Sequence, residues 1–125
     1  MLLLIRGVCG SGKSTLARAI VGVSGEWKHY EADMYFMDGG IYKFDPAKIG
    51  MAHEWCQWIT KNSLYDRRDV IVSNTFVRQW ELQPYRDMAR ELNVPISVVV
   101  CQGEYGNIHN VPEETILRMK GSFEF

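Results

Sequence analysis

Cysteine is scarce in this chain, and the few that occur sit far apart. Three thiols, Cys9, Cys56 and Cys101, form no spaced metal pair, and an odd number cannot all pair within one chain. A disulfide scaffold and a zinc module are excluded, and reduced, mostly buried thiols are expected. Histidine is as thin, because His29, His53 and His109 are too scattered to suggest a metal cage. Neither sign of charge prevails, since 14 Lys and Arg face 15 Asp and Glu for a formal net charge of −1. No bulk attraction toward nucleic acid or anionic lipid follows, so any polyanionic partner must be held locally. Long hydrophobic runs are missing too. The strongest apolar start, Met1 to Ile5, stops at Arg6 and Gly7, too short for a signal-peptide core or a membrane span. The expected compartment is the cytoplasm, with no membrane partner.

What is present is the composition of an ordinary folded domain, 46% hydrophobic and 23% charged over 125 residues, long enough for one core. With no repeat and with Gly and Pro spread as punctuation, residues 1–125 read as a single domain. Four short apolar runs stand out: Leu2 to Ile5, Lys28 to Ala32, Val70 to Ser73 and Ile96 to Cys101. They mostly lack strict polar alternation, which predicts parallel strands covered on both faces. Helical stripes lie between them. Leu16, Ala17, Ile20 and Val21 share a face after Ser14, with Gly22 as the stop. Ile49, Ala52, Cys56 and Ile59 form a second stripe, capped by Asp45 before Pro46. Tyr85, Met88, Ala89 and Leu92 make a third, with Pro84 in its first turn, and a final helix is predicted from Pro112, with Glu113 and Glu114 at its start and Arg118 and Lys120 further on. Alternating strands and helices predict an α/β fold with a parallel sheet and right-handed crossovers. Two irregular stretches, Met34 to Phe44 and Gln102 to Val111, follow strand ends, where open α/β sheets bind ligands.

One motif carries chemistry. Gly7-Val8-Cys9-Gly10-Ser11-Gly12-Lys13-Ser14 fits G-x-x-x-x-G-K-[ST], follows an apolar strand and opens an amphipathic helix. Phosphates need several donors aimed at one spot, and the exposed N–H groups of a glycine-rich turn and a helix N-terminus supply them. Gly7, Cys9, Gly10, Ser11, Gly12, Lys13, Ser14 and Thr15 are therefore the expected ATP-binding residues. Lys13 would reach the β/γ oxygens, and Ser14 would ligate Mg²⁺. A turn that merely capped a helix would have no need of Lys13 followed by two hydroxyls. The fold this implies is the P-loop NTPase fold, a parallel sheet of about four strands flanked by helices.

Transfer to an alcohol needs a carboxylate that can accept its proton. Asp33, at the end of the second strand, is the expected base, and Glu31 is the alternative. The third strand ends Ser73-Asn74-Thr75 without a carboxylate, which favours a small kinase over a mechanical ATPase. Asn74 and Thr75 are open to two readings, a hold on Mg²⁺-bound water or a cap for the next helix.

At these residues the chain resembles the polynucleotide-kinase-like branch of the P-loop kinases, including phage polynucleotide 5′-kinases and the kinase-like domain of ubiquitin-ligase-binding proteins. The resemblance runs through the P-loop, Glu31-Ala32-Asp33 with Tyr35-Phe36, Tyr42 to Pro46, Ala52-His53, Trp55-Cys56, Val70 to Thr75, Trp80-Glu81, Pro84-Tyr85, His109 and Val111-Pro112. It implies an ATP-dependent phosphotransferase in which Asp33 activates the 5′-hydroxyl of a single-stranded nucleic acid end, with Gln102 to Val111 as a lid. The family lid generally offers an arginine where this chain has Gly106, and Gln102 to Asn110 holds neither Arg nor Lys. Arg118, or His109 if protonated, is the expected substitute, and Arg118 joins Asp33 and Lys13 as an expected catalytic residue. Phe36 stands where phage enzymes place another arginine.

Tyr35, Phe36 and Tyr42 flank Asp33, and stacking on a base or sugar is one reading of them, core packing the other. His53 reads as a structural imidazole or a substrate contact. Asp66-Arg67-Arg68-Asp69 reads as a solvated turn. Cys9 is expected to be a small filler of the loop, with oxidation through a lowered pKa as the alternative. Besides a nucleic acid 5′ end, a nucleoside or small metabolite is a possible acceptor. A nucleotide-binding switch with little transfer is the rival class.

Overall fold

The computed structural model describes residues 1–103 and 112–125. The first strand, β1 (Leu2–Arg6), leads into helix α1 (Lys13–Ser24) and returns as β2 (Trp27–Tyr30). A 3-10 turn over Ala32–Phe36 then opens a small hairpin, β3 (Met37–Asp38) and β4 (Ile41–Tyr42). Helix α2 (Ile49–Tyr65), strand β5 (Asp69–Asn74), helix α3 (Gln83–Glu91), strand β6 (Ile96–Val100) and helix α4 (Glu113–Ser122) follow. The main sheet is parallel, in the order β2-β5-β1-β6. Because the chain leaves β1 for one side of the sheet and later adds β6 on the other, the strand order reverses beside β1. The crevice beyond the carboxyl ends opens there, at the P-loop.

Alternation along the central strands makes two cores. Leu2, Leu4, Val70 and Val72 pack with Ala52, Cys56 and Leu64 of α2 and with Tyr85, Met88 and Ala89 of α3. Ile5 and Ile71 turn the other way, onto Ala17, Leu16 and Ile20 of α1. The four predicted strands are all present, and the α/β architecture is as expected. Coverage on both faces holds for β1 and β5 but not for β6, whose Val98 and Val99 remain 37% and 38% exposed at the sheet edge.

Several local expectations are corrected. Helix α1 runs past Gly22 and stops at Gly25, whose φ of 70° lets its N–H reach the Val21 carbonyl at 2.7 Å. Gly22 faces open space, so it weakens the helix without ending it. The buried stripe of α2 is Ala52, Cys56, Thr60 and Leu64, while Ile49 is exposed; polar Thr60 disguises that face in the sequence. Asp45 does cap, accepting from the Ala47 N–H at 3.0 Å, although the cap serves a 3-10 turn (Pro46–Lys48) leading into α2. Pro112 is the residue before α4 and not its first. Strand β2 stops at Tyr30 because the Ala32 N–H leaves the ladder for the Asn74 side chain, 2.8 Å away.

Arg6 ends β1 as a buried cation, 1% exposed. Its guanidinium donates to the Phe76 carbonyl at 2.7 and 3.0 Å and to the Glu124 carbonyl, and it lies 4.4 Å from the centre of the Phe123 ring. A cavity of about 500 Å³ opens at the opposite end of the sheet among Met1, Tyr65, Arg67, Arg68 and Asn93, with no P-loop residue in its lining.

Candidate active site

The loop between β1 and α1 is built around backbone that other residues would not fit. A Cβ on Gly7 would collide with Ser11 Oγ and with the Cys101 carbonyl oxygen. Gly10 and Gly12 take φ of 80° and 96°, the left-handed region open to glycine. The loop is anchored at both ends: the Gly7 N–H donates to the Thr75 carbonyl at 3.1 Å, and the Gly103 N–H donates to the Ser11 carbonyl at 3.2 Å. No side chain caps α1, so the N–H groups of its first turn, Lys13 to Thr15, lack intrahelical acceptors. Ser11 is 2% exposed, and its hydroxyl is buried without a hydrogen-bond partner among the described residues. An anion seated in the loop satisfies these donors together.

Lys13 donates to the Val8 carbonyl at 2.9 Å, folded back over the loop. Burial lowers its pKa, while Cys9, Glu31, Cys101 and Asp33 oppose that shift. Burial pushes the Cys9 thiol up, more than Lys13 pulls it down, which fits the filler reading and not the oxidisable one. Cys9 Sγ meets Met119 Sδ of α4 at 3.9 Å.

Glu31 lies at the centre of a polar knot. Its Oε1 accepts from Ser14 Oγ and from Ser73 Oγ, the latter at 2.9 Å, and lies 3.3 Å from His29 Nε2. His29 Nε2 is also 2.6 Å from Ser73 Oγ. Burial alone would raise the Glu31 pKa, but hydrogen bonds from His29, Ser14 and Ser73, with the His29 charge, bring it down to about 2. An ionised carboxylate beside a hydroxyl is a hard oxygen pair that suits Mg²⁺, an ion that usually takes one or two protein oxygens and fills the rest with water and phosphate. Among the described residues no cluster of three His, Cys, Asp or Glu forms a metal cage.

Asp33 sits two residues on, in the 3-10 turn that follows β2. Its charge is felt at both Lys13 and Cys9, so the turn delivers it to the crevice shared with the loop. The turn is held by Asn74, 7% exposed, which accepts the Ala32 N–H and donates to Cys56 Sγ at 3.7 Å. Asn74 thus fixes the start of the Asp33 turn and does not cap α3, which follows it in the chain. Tyr42 donates its hydroxyl to Asp33 Oδ1 at 3.0 Å, and burial together with that bond raises the phenol to about 12.

Gly7, Cys9, Gly10, Ser11, Gly12, Lys13, Ser14, Asp33 and Glu31 are therefore brought together, and Thr15 is exposed one residue beyond. Arg118 is exposed on α4, beside the Met119 that meets Cys9. Residues 104–111, with Gly106 and His109, lie outside the described residues. A second cavity, about 230 Å³, borders the loop at Val8, Cys101, Gly103, Phe123 and Phe125. His29 and Ser73 are the site residues that sequence reasoning misses. Ser73 gives one signal, its place at the carboxyl end of the Val70–Ser73 run, and His29, inside the Lys28–Ala32 run, gives none.

The family described as AAA domain matches residues 2–125. Human NEDD4-binding protein 2 is 33% identical over 129 residues, covering 95% of this chain, which spans 7% of that protein's length. A chain in the Pnkp1/Rnl/Hen1 complex superposes with a TM-score of 0.65 at 25% identity, over 94% of this chain and 38% of that one. A gluconokinase from Sinorhizobium meliloti shares the fold at a TM-score of 0.61 and 19% identity, over 98% of this chain and 74% of its own. With its phosphate loop at the switch point of a parallel sheet, the chain belongs to the AAA domain family and has a P-loop kinase-like fold of the polynucleotide-kinase-like kind.

Proposed function

We propose that the chain is an ATP-dependent phosphotransferase that moves the γ-phosphoryl group to a hydroxyl, with the 5′-hydroxyl of a single-stranded nucleic acid end as acceptor. The observation that carries this reading is the convergence of a preformed anion loop and two differently held carboxylates in one crevice. Glu31 is engaged by three donors, whereas Asp33, facing the loop and bonded to Tyr42, is the carboxylate in reach of an acceptor.

In this reading the backbone donors of Gly10 to Thr15 hold the β- and γ-phosphates, and Lys13 swings from the Val8 carbonyl onto them. Ser14 and Glu31 would hold Mg²⁺, which when bound neutralises charge on the bridging oxygens. Asp33 accepts the acceptor's hydroxyl proton, the new bond forms from that oxygen to Pγ, and the bond from Pγ to the β-bridging oxygen breaks to leave ADP. The cavity beside Val8 is the proposed seat of the adenine. Arg118 is the proposed source of positive charge for the transferring group, through a movement of α4.

The test is transfer from γ-labelled ATP with Mg²⁺ to 5′-hydroxyl DNA, 5′-hydroxyl RNA, nucleosides and no acceptor, with Lys13→Ala as control. Labelled oligonucleotide that disappears in the control supports the proposal. Labelled nucleoside alone moves the acceptor to small molecules, a reading favoured by the likeness to a gluconokinase. Tight ATP binding with no labelled acceptor overturns the kinase reading in favour of a nucleotide switch.

A further inference from the structure

The hairpin beside Asp33 carries two exposed rings in a fixed arrangement. Tyr42 and Phe44 stand two residues apart in extended chain and are held nearly parallel, 12° between planes and 6.4 Å between centres, at 37% and 50% exposure. Their support is Phe36, 6% exposed, which sets its ring near perpendicular to both, 5.1 Å from Phe44 and 6.3 Å from Tyr42. The backbone is pinned as well, because the Lys43 N–H donates to the Phe36 carbonyl at 2.8 Å. Gly39 and Gly40, at φ of 58° and 84°, form the tight turn that brings β4 back. Of the three aromatics beside Asp33 with a stacking reading in the sequence, Phe36 is core and Tyr35 is wedged between Phe36 and Trp55, at 5.7 and 6.2 Å. The rings open to a ligand are Tyr42 and Phe44.

We infer that Tyr42 and Phe44 form the platform on which the terminal base of the acceptor stacks. This deepens the acceptor proposed above and rests on it. Position is the first argument: the Tyr42 hydroxyl already touches Asp33 Oδ1, so the phenol ring starts at the proposed base and Phe44 extends the surface away from it. A nucleoside has the same layout, with its reactive 5′-oxygen one ribose away from a flat aromatic base. Preorganisation is the second, because rings locked by a buried neighbour lose little freedom when they bind. Charge is the third. From Glu31 to Lys48 the basic residues are Lys43 and Lys48 alone, and Lys43 is paired with Asp38 at 3.2 Å. An acceptor recognised by its phosphates would find little here, whereas one recognised by a base would find two rings. Binding of a short single strand is then expected to depend weakly on salt.

The experiment measures binding of a short 5′-hydroxyl single-stranded DNA with 2-aminopurine as its terminal base, without ATP, and transfer with the same proteins. The parent quenches the fluorophore, and Phe44→Ala weakens binding by on the order of tenfold and relieves the quenching. Phe44→Leu, which keeps apolar packing on Phe36 but has no ring, does the same, so lost packing cannot explain the result. Tyr42→Phe retains affinity and quenching. An oligonucleotide with an abasic first position binds the parent weakly and is indifferent to Phe44→Ala. The platform is overturned if both Phe44 variants bind like the parent, if the abasic strand binds as tightly as the complete one, or if no oligonucleotide binds at all. A bound, quenched strand that is never phosphorylated overturns the kinase reading and supports the platform. Phosphorylation untouched by the Phe44 variants does the reverse.

Discussion

On the phosphate side of the crevice the chain packs small residues, charges and hydrogen bonds, with Gly7 against Ser11 and Glu31 held by Ser14, Ser73 and His29. On the proposed acceptor side, a few residues along the same chain, it presents aromatic rings on a hairpin, and one phenol touches one carboxylate. The two carboxylates show the difference in miniature. Glu31 spends its lone pairs on neighbours and stays ionised to about pH 2; Asp33 accepts from the phenol of the hairpin's Tyr42. In the proposed reading a fixed group, a triphosphate, is well served by a rigid cradle, and a variable acceptor by a surface.

The largest expected break in this pairing is Asp33→Asn. It should cut transfer about 10²- to 10⁴-fold, the range for a positioned acid or base, while ATP affinity measured by calorimetry stays put. A comparable fall for Glu31→Gln in ATP binding without Mg²⁺ would erase the division of labour. Next comes the stability held by Glu31. Its folded pKa near 2 lies below the ordinary 4.5, so folding favours the charged form. That contribution, about 3 kcal/mol, is complete above pH 4.5 and drains away as pH falls toward 2. Urea denaturation of parent and Glu31→Gln should therefore differ at pH 7 and converge near pH 2.

Gly7→Ala comes third. The new methyl has no room beside Ser11 and the Cys101 carbonyl, and overpacking of this kind costs about 1–3 kcal/mol. Thermal melts should report a lower Tm, and nucleotide binding should fall with it. The smallest effect belongs to Gly40→Ala in the hairpin, a left-handed position in open space, at about 1 kcal/mol. It should raise the KM for the acceptor while leaving the KM for ATP alone. Equal changes in both would show that the two sides are one mechanical unit.

The phosphate loop was legible in the sequence because its chemistry demands glycine, lysine and hydroxyl at fixed spacing, and Asp33 was legible from its place after an apolar run. The knot around Glu31 was not, since Ser73 lies 44 residues from His29 and 42 from Glu31 and meets them only through the pairing of β2 with β5. Asn74 was ambiguous for the same reason: its acceptor role is defined by a backbone N–H 42 positions earlier. The α2 face was misread at Thr60 because periodicity counts only apolar residues, whereas a buried threonine packs with its methyl. The hairpin did leave a signal, Asp38-Gly39-Gly40 between apolar residues, inside a stretch that otherwise reads as irregular.

Arg6 ties residues 123–125 to the start of the phosphate loop. The guanidinium that closes β1, one residue before the phosphate loop, hydrogen-bonds to carbonyls and lies against the Phe123 ring, with the charges of Glu81 and Glu124 acting on it from further off. Gln79 and Arg78 add further ties to Glu124. Displacing residues 123–125 would strand a cation in the interior beside the phosphate loop. Any change to these three residues is therefore also an intervention beside that loop.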